Sequence, residues 1–461
     1  MSVYTENFHL PSLRHIFADG PDIAREANAD IKHQLELRRR EIDGDIGAYC
    51  VHEDLPNLEF GPLAGLPVTI KDQFHLAGTR LGFGFGQLAK NPSKKDAPAL
   101  AALRKNGVHF IGRTNMPPLA LDFQAVDGAG HRTNNPHDLE RTAGGSSGGG
   151  AAAVAAGLSL VDIGADLSGS LRLPAHFCGV MSLLPTEGQF SNRGMLLSET
   201  AALAHFARPG IIGRSADDLW VMHQFMRGNE DVPPPLSVPS KSEVKLGWLP
   251  HGDAHPLDRN VRAVFDQWRA TALSQGVQFA DVDMDIFATS LRHDFAFLMG
   301  YETGGLMPWV ARLAARLFGR VAARRSPDFL AQVQKGYARS KSAYKAALQR
   351  RDGYIETALS AFGNLDAIIT PVTPMPAFEH VQPVQDHNGV RDYDRSFGVD
   401  QSSLGYYDAL TYYTGAVSLL GFPVVTLPLG FTPDGLPVGA QLIGRPNAED
   451  ALLAIAAGLA L

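Results

Sequence analysis

The most constraining feature of this chain is a run of seven small residues, 144–150, in which two serines lie among five glycines. Glycine tolerates unusual backbone conformations and lets other groups approach closely. A small-residue helix at 151–156 and an apolar strand at 158–163 are predicted directly after this glycine-serine run. A flexible linker is not followed at once by such elements, so the run is interpreted as a packed loop inside a folded domain.

Two common glycine-rich sites do not fit this run. It lacks the Lys-Ser or Lys-Thr ending of a P-loop, and no acidic strand end follows at the distance that a dinucleotide site requires. The chain also lacks His-Glu-x-x-His spacing, so we expect neither a metal nor a cofactor. The run is therefore expected to serve another chemistry.

Strands and helices alternate along much of the chain. Short strands are predicted at 68–70, 108–111, 158–163, 245–249, 367–370, 422–429 and 438–443. Helices are predicted at 22–42, from an Asp96 N-cap to Gly107, at 151–156, and from an Asn447 N-cap toward Leu461. Residues 257–362 are almost entirely helical in pattern, and 376–404 read as a long polar loop. The alternation predicts an α/β sheet with helices on both faces.

Composition excludes several classes of protein. The 461 residues include 41 Lys and Arg against 48 Asp and Glu, a net charge of −7, which argues against a nucleic-acid binder. Two cysteines cannot form a disulfide framework, which favours a reducing compartment. Residues 1–30 show no secretion signal, and no run of about 18 apolar residues occurs. We therefore expect a cytoplasmic protein that makes no membrane contact.

Three segments carry side chains suited to acyl transfer. Lys71 ends an apolar strand, Ser146 and Ser147 lie in the glycine-serine run, and Ser170 follows small residues in a turn. A neutral lysine, serine hydroxyls and converging backbone N–H groups can perform nucleophilic catalysis without histidine. Each residue alone has a plainer interpretation, because a lysine at a strand end often reaches solvent and a serine before a helix often caps it.

Charged residues flank the turn that contains Ser170. Asp166 and Arg172 stand on either side of it and can pair to brace it. Successive backbone N–H groups in such a turn can converge on an anion. His176 lies nearby in sequence, but its Ala-His-Phe-Cys context indicates helix packing rather than a catalytic triad.

Taken together, these segments make the sequence resemble the amidase signature family of serine hydrolases over most of its length. The matching stretches are 61–72, 112–115, 134–139, 144–186, 370–371 and 421–446. The resemblance implies a single α/β domain over 1–461, with a central twisted mixed β-sheet flanked by α-helices on both faces. Within it lie a core motif region at 60–190, a helical middle segment at 257–362 and a C-terminal return to the sheet at 365–461.

The resemblance also implies roles for individual residues. Lys71 matches the catalytic lysine of the family, Ser146 its bridging serine after a cis peptide bond, and Ser170 its nucleophile. The backbone N–H groups implied to form the oxyanion hole are those of Leu167, Ser168, Gly169 and Ser170. The residues implied to support this set are Ser147, Asp166 and Arg172.

These roles imply an amidase that hydrolyses a linear carboxamide through an acyl-enzyme on Ser170. Lys71 must be neutral to act as the base, and Ser146 relays the proton. The segments 119–127, 190–197 and 406–413 are rich in Phe, Leu, Met and Tyr, which favours a small-molecule amide with an apolar or aromatic acyl group. The family resemblance also suggests a homodimer.

Several positions depart from the family pattern. Ser168 stands where glycine is usual, Ala165 where threonine is usual, Asp162 where a small residue is usual, and Leu184 where a lysine is common. Ser168 lies in the predicted oxyanion turn, so its side chain can narrow the pocket or add a hydroxyl. None of these departures removes Lys71, Ser146 or Ser170.

Three alternative functions stay open at this point. The same acyl-enzyme can pass its acyl group to an amine in a biosynthetic pathway. The amidase subunit of a tRNA-dependent amidotransferase resembles this family too and requires partner chains and glutamine. A non-catalytic binding protein of the same fold is the third alternative, against which the intact Lys-Ser-Ser set argues.

Overall fold

The computed structural model describes residues 4–5, 10–17, 21–52, 60–249, 255–387 and 390–460. The expectation about a secretion signal in residues 1–30 falls partly outside these ranges, as does the predicted helix end at Leu461. Within them, no helix combines the length and the apolar character that a membrane span requires.

Helices and strands are distributed along the whole of the described chain. The helices are α1 (Leu13–Phe17), α2 (Pro21–Ile46), α3 (Pro98–Lys105), α4 (Gly148–Ala155), α5 (Arg172–Cys178), α6 (Ala216–Met226), α7 (Arg259–Ser274), α8 (Thr289–Leu306), α9 (Trp309–Phe318), α10 (Arg320–Arg325), α11 (Leu330–Gly336), α12 (Lys341–Phe362), α13 (Tyr406–Leu420) and α14 (Glu449–Leu459). The strands are β1 (Tyr49–Val51), β2 (Pro67–Lys71), β3 (His109–Thr114), β4 (Asn134–Asn135), β5 (Asp138–Thr142), β6 (Asp162–Asp166), β7 (Met181–Leu184), β8 (Arg208–Gly213), β9 (Lys245–Trp248), β10 (Gln278–Asp281), β11 (Ala367–Pro371), β12 (Gln385–His387), β13 (Val390–Asp392), β14 (Ser396–Val399), β15 (Ser402–Gly405), β16 (Val424–Phe431) and β17 (Pro437–Ile443).

One mixed sheet joins the two ends of the chain. Among the described residues it has eleven strands in the order β1-β3-β2-β6-β8-β7-β16-β17-β11-β9-β10. β2 runs parallel to β3 and β6, and β9 runs parallel to β10 and β11. The other neighbouring pairs are antiparallel. Because β7 pairs with β16, the strands of 60–190 and 365–461 share this sheet, and the predicted α/β fold with a central mixed sheet is confirmed.

The boundaries around the glycine-serine run differ from the prediction. α4 begins at Gly148, inside the run, rather than at 151. A Cβ on Gly149 would lie 2.5 Å from the Ala48 carbonyl oxygen, so the missing side chain lets α4 approach its neighbours closely. The predicted strand at 158–163 is wrong in its start, because β6 begins at Asp162. Leu158 instead belongs to a turn in which its N–H donates to the Ala153 carbonyl at 2.7 Å.

Both predicted helix caps are wrong. α3 begins at Pro98 with Ala97 as its N-cap. The Asp96 carboxylate is used elsewhere, because its Oδ1 accepts hydrogen bonds of 2.8 Å from the Ala77 N–H and from Arg104. Ala448 is likewise the N-cap of α14, and the preceding Asn447 adopts a left-handed backbone with a φ of 62°.

The segments 257–362 and 376–404 contain strands that their polar and apolar patterns do not indicate. The helical segment at 257–362 contains α7 to α12, as predicted, but also the strand β10, which extends the sheet beside β9. The predicted loop at 376–404 contains two hairpins, β12–β13 and β14–β15. In β14, buried Phe397 and Val399 alternate with exposed residues, which is the two-residue period of a strand. Residues 388–389 of this segment lie outside the described residues.

Candidate active site

The lysine predicted at a strand end is the last residue of β2. Lys71 is fully buried, so the alternative in which its side chain reaches solvent is wrong. Its Nζ lies 2.7 Å from Ser146 Oγ and 2.9 Å from Ser147 Oγ. The structure thus brings the strand and the glycine-serine run together at three polar side chains.

Burial determines the charge of this lysine. Removal from water lowers the Lys71 pKa to about 7, although the carboxylates of Asp162 and Asp166 act in the opposite direction. An ordinary lysine, with a pKa of ~10.4, is almost entirely charged at neutral pH. A large fraction of Lys71 is instead neutral there, so its amine can accept a proton.

The glycine-serine run is held tightly against the rest of the site. The Gly145–Ser146 peptide bond is cis, as the family resemblance implied. A Cβ on Gly145 would lie 2.7 Å from the Asp122 carbonyl oxygen, which leaves room only for glycine. The Ser147 N–H donates to the Ser170 carbonyl oxygen at 3.1 Å. The run is therefore bonded directly to the segment that carries Ser170.

One carboxylate organises the turn around Ser170. Asp166 Oδ1 accepts a hydrogen bond of 2.7 Å from the Gly169 N–H, and Oδ2 accepts one of 3.0 Å from the Leu171 N–H. Arg172 forms a buried ion pair of 3.0 Å with Asp166, which is the pairing predicted from the sequence. Burial alone would raise the Asp166 pKa, but the Arg172 guanidinium and these hydrogen bonds lower it to about 2. The turn thus keeps a permanent internal anion.

Ser170 precedes a helix without capping it. α5 begins at Arg172, and its N-cap is Leu171, with no side-chain cap hydrogen bond. The interpretation of Ser170 as a helix cap is therefore wrong. The residue is 5% exposed, so it is shielded from bulk solvent yet not sealed off.

The backbone N–H groups of this turn are not equivalent. The Gly169 N–H is already donated to Asp166, which corrects the expectation that it is available as an oxyanion donor. Among the described residues, the N–H groups of Leu167, Ser168 and Ser170 have no acceptor. These three groups are therefore the ones left to bind an anion in the turn.

Three residues of the C-terminal part of the chain, which the sequence did not predict to be functional, also hold the turn. Arg172 donates to the Thr414 carbonyl at 3.1 Å, to Gln441 Oε1 at 2.7 Å and to Ser418 Oγ at 2.6 Å. Thr414 Oγ1 donates to the Ser168 carbonyl at 2.6 Å. Gln441 lies in a stretch that matches the family, which was the available signal. No sequence spacing pointed to Thr414 or Ser418.

The segments expected to surround an acyl pocket lie in different parts of the structure. Tyr406 and Tyr413 are buried core residues whose hydroxyls donate to Asp122 Oδ1 and to the Pro256 carbonyl, both at 2.8 Å. Leu197, from the segment 190–197, lines a cavity of about 330 Å³. The side chains that line this cavity with it are mainly apolar or uncharged and include His75, Leu81, Phe83, Phe85, Ser93 and Glu199. No group of three or more metal-ligating side chains occurs among the residues that the structure describes.

The residues that depart from the family pattern are all buried. Ala165 contributes its carbonyl oxygen, which accepts a hydrogen bond of 3.2 Å from Ser147 Oγ. Asp162 is fully buried on β6, and Leu184 is fully buried at the end of β7. Ser168 lies in the turn before Ser170, with 7% of its surface exposed.

Comparison with known proteins identifies the family to which the chain belongs. The family model described as Amidase matches residues 48–453. A glutamyl-tRNA(Gln) amidotransferase subunit from Carboxydothermus hydrogenoformans is 31% identical over 427 residues, which cover 86% of this chain and 83% of that protein. The corresponding subunit from Deinococcus radiodurans is 31% identical over 438 residues, covering 86% and 84%.

Solved structures share the same fold. A crystal structure described as an amidase superposes with a TM-score of 0.75 at 24% identity, covering 94% of this chain and 95% of that one. A bacterial aryl acylamidase of the amidase signature family superposes with a TM-score of 0.70 at 18% identity, covering 94% and 92%. With the family model matched over most of its length, this chain belongs to the amidase signature family of enzymes.

Proposed function

We propose that this chain hydrolyses the C–N bond of a small-molecule carboxamide through an acyl-enzyme on Ser170. The observation that carries the proposal is the buried Lys71 amine, which lies 2.7 Å from Ser146 Oγ at a pKa of about 7. A base with a pKa near the working pH is well matched to general-base catalysis. The hydrogen bond from the Ser147 N–H to the Ser170 carbonyl brings the nucleophile's segment to this base.

Proton transfer accounts for both halves of the reaction. The neutral Lys71 amine takes the Ser146 hydroxyl proton while Ser146 takes the proton of Ser170, whose oxygen attacks the amide carbonyl. The tetrahedral oxyanion is bound by the N–H groups of Leu167, Ser168 and Ser170, and the loss of one such donor typically costs about 3–4 kcal/mol. Lys71 returns its proton through Ser146 to the leaving amine, the C–N bond breaks, and water then releases the acid by the same route.

The acyl group of the substrate is proposed to be apolar or aromatic. Leu81, Phe83, Phe85 and Leu197 line one cavity of the molecule, which supports an apolar ligand. Apolar lining with a few polar groups is typical of small-molecule sites. A homodimer stays a prediction of the family resemblance.

The test of the proposal is covalent labelling by a fluorophosphonate. Intact-mass and peptide-mass measurements on the full chain are expected to show one adduct on Ser170, which the Ser170→Ala variant does not form. Ser274→Ala, at the exposed end of α7, is the matched control and is expected to keep the adduct. A folded wild-type protein that forms no adduct, or forms it elsewhere, would contradict the proposal.

A second candidate is the amidase subunit of an amidotransferase. The curated relatives with 31% identity are named as amidotransferase subunits and support this alternative. Ammonia release from an amide panel that includes glutamine separates the two candidates. We expect the purified chain to release ammonia or amine from small amides on its own. Turnover of glutamine alone, and only after amidotransferase partner subunits are added, would instead favour the second candidate.

A further inference from the structure

A buried carboxyl beside Lys71 has no part in the mechanism above. Asp162 begins β6, and its backbone pairs with Thr69 of β2, two residues before Lys71. Side chains alternate along a strand, so Thr69 and Lys71 project to the same face of β2. Thr69 Oγ1 donates to Asp162 Oδ1 at 2.8 Å. The Asp162 carboxyl therefore lies on the face of the sheet that carries the Lys71 amine.

The two oxygens of this carboxyl have unequal surroundings. Oδ1 accepts from Thr69 and also from Thr114 Oγ1 at 3.0 Å. Oδ2 is fully buried and has no hydrogen-bond partner in the described structure. Buried polar atoms in proteins are nearly always paired, because an unpaired one is costly. An uncharged side chain could fill the same space without a buried, unpaired oxygen. Packing alone therefore does not explain a carboxyl at position 162.

The neighbouring helix is shaped to admit the unpaired oxygen. Gly150 of α4 faces Asp162 so closely that a Cβ there would collide with Oδ2. α4 contains only glycine, alanine and valine, so it brings no charge to the carboxyl. This close fit fixes the position of the carboxyl relative to β2 and Lys71.

The other charged and titratable groups near the pair are few. Tyr49 faces Asp162 from β1, Lys71 from β2 and Asp166 from the far end of β6, whereas β3 contributes the uncharged Thr114. Asp166 is held as an anion by Arg172, so its charge does not change near neutral pH. Asp162 is therefore the acid beside Lys71 whose charge can change where the lysine titrates.

We propose that Asp162 is a positioning residue that sets the protonation state of Lys71 through space, an inference that rests on the proposed acyl-enzyme function. An ionised Asp162 stabilises the ammonium form of Lys71, which cannot accept a proton from Ser146. Protonation of the carboxyl removes that attraction and favours the neutral amine. One proton is thus distributed between the two groups, and the base is available when Asp162 holds it or when neither does.

The burial of both groups supports this coupling. Burial raises the Asp162 pKa to about 7, against the opposing effects of the Thr69 and Thr114 hydroxyls and the Lys71 charge. Burial lowers the Lys71 pKa to about 7 as well. Two interacting groups that titrate over the same range share their macroscopic pKa values, so a change in one moves the other.

The test compares the pH dependence of Ser170 labelling by a fluorophosphonate in the wild-type chain and in Asp162→Asn. The acid limb is the part of the pH–rate profile in which the labelling rate rises with pH. Without the negative charge of Asp162, this limb is expected to move to lower pH by about one unit or more. For every pH unit that the limb moves, the variant labels up to about tenfold faster than the wild type at a given pH on that limb. Above both pKa values the two rates are expected to converge.

Two further variants separate a charge effect from a structural one. Asp218→Asn removes another buried carboxylate, on α6, which accepts a hydrogen bond of 2.8 Å from the Leu13 N–H. This variant is expected to leave the acid limb in place. Thr114→Val removes one donor to Asp162 and raises its pKa, so the limb should move in the same direction by a smaller amount. This variant also serves if Asp162→Asn does not fold.

The outcomes distinguish this inference from the function on which it rests. A wild-type chain that forms no Ser170 adduct at any pH overturns the proposed function. A labelled wild type whose acid limb stays in place in the folded Asp162 and Thr114 variants, even with lower thermal stability, overturns only the role of Asp162. The same holds if Asp162→Asn does not fold and Thr114→Val alone leaves the limb unmoved.

Discussion

Lys71→Met is expected to slow the acylation of Ser170 by about 10²–10⁴-fold, which is the usual contribution of a general base. The side chain that lies 2.7 Å from Ser146 Oγ is lost, and the methionine that fills the space cannot take a proton. The pH dependence should change with the rate. In the wild type the rate rises with pH through about 7, because the neutral amine is the active form. In the variant that rise is absent.

Two substitutions control this experiment. Lys71→Arg keeps a long basic side chain, but a guanidinium stays protonated, so it is not expected to restore the rate. Lys105→Met removes an exposed lysine that pairs with Glu230 on the surface, and it should leave both rate and pH profile unchanged. The measurement is the rate of fluorophosphonate labelling between about pH 5 and 10, read by mass. A Lys71→Met variant with the wild-type profile would show that another group is the base.

Arg172→Met is expected to lower the free energy of unfolding by about 3–5 kcal/mol. Arg172 is fully buried and pairs with Asp166, so its removal leaves a buried carboxylate without its partner. The hydrogen bonds to Gln441 and Ser418 are lost as well. Urea unfolding followed by circular dichroism measures the change, and labelling of Ser170 reports whether the turn keeps its shape.

The pH dependence of the free energy of unfolding provides a second test of the Asp166–Arg172 pair. The folded-state pKa of Asp166, about 2, is below its unfolded value of ~3.9. The pair therefore contributes its full stability above the unfolded value and loses it as the pH falls toward 2. Without Arg172 the carboxyl pKa rises, so this acid-dependent loss should shrink or change sign.

A surface pair provides the matched control for this prediction. Arg227 and Asp450 lie 3.8 Å apart with side chains about half exposed, and Arg227→Met should cost about 1 kcal/mol or less. The double variant Asp166→Asn with Arg172→Met removes the uncompensated charge and should recover part of the loss. Equal losses from the buried and the exposed pair would contradict the argument.

Much of the site could be predicted because its signals are local in sequence. Lys71 follows an apolar strand, Ser146 lies in the glycine-serine run, and Ser170 lies in a turn of small residues flanked by opposite charges. The structure places Lys71 and Ser146 in contact and bonds the run to the Ser170 segment. The sheet was predictable for the same reason, since short apolar strands between helices leave few arrangements other than a mixed or parallel sheet.

The remaining features depend on contacts between distant parts of the chain. Asp96 fits the pattern of a helix cap, but its carboxylate is used by the Ala77 N–H. The Gly169 N–H is placed as an oxyanion donor by the sequence pattern, but in the structure it donates its hydrogen bond to Asp166. The start of β6 at Asp162 is fixed by pairing with β2, which leaves no trace in the local pattern of hydrophobic residues. Which partner such a group binds depends on residues that only the folded chain brings close to it.

The bond between Arg172 and Gln441 has a consequence for biosynthesis. The two residues are 269 positions apart, and Gln441 lies on β17, which is translated after the other strands of the described sheet. A nascent chain therefore holds Lys71, Ser146 and Ser170 long before the side chain that fixes the Ser170 turn has been translated. Domains fold as units once their late strands are available. The turn that carries Ser170 therefore gains its bond to Gln441 only after β17 has been translated, and a fragment that ends before β17 is expected to form no Ser170 adduct.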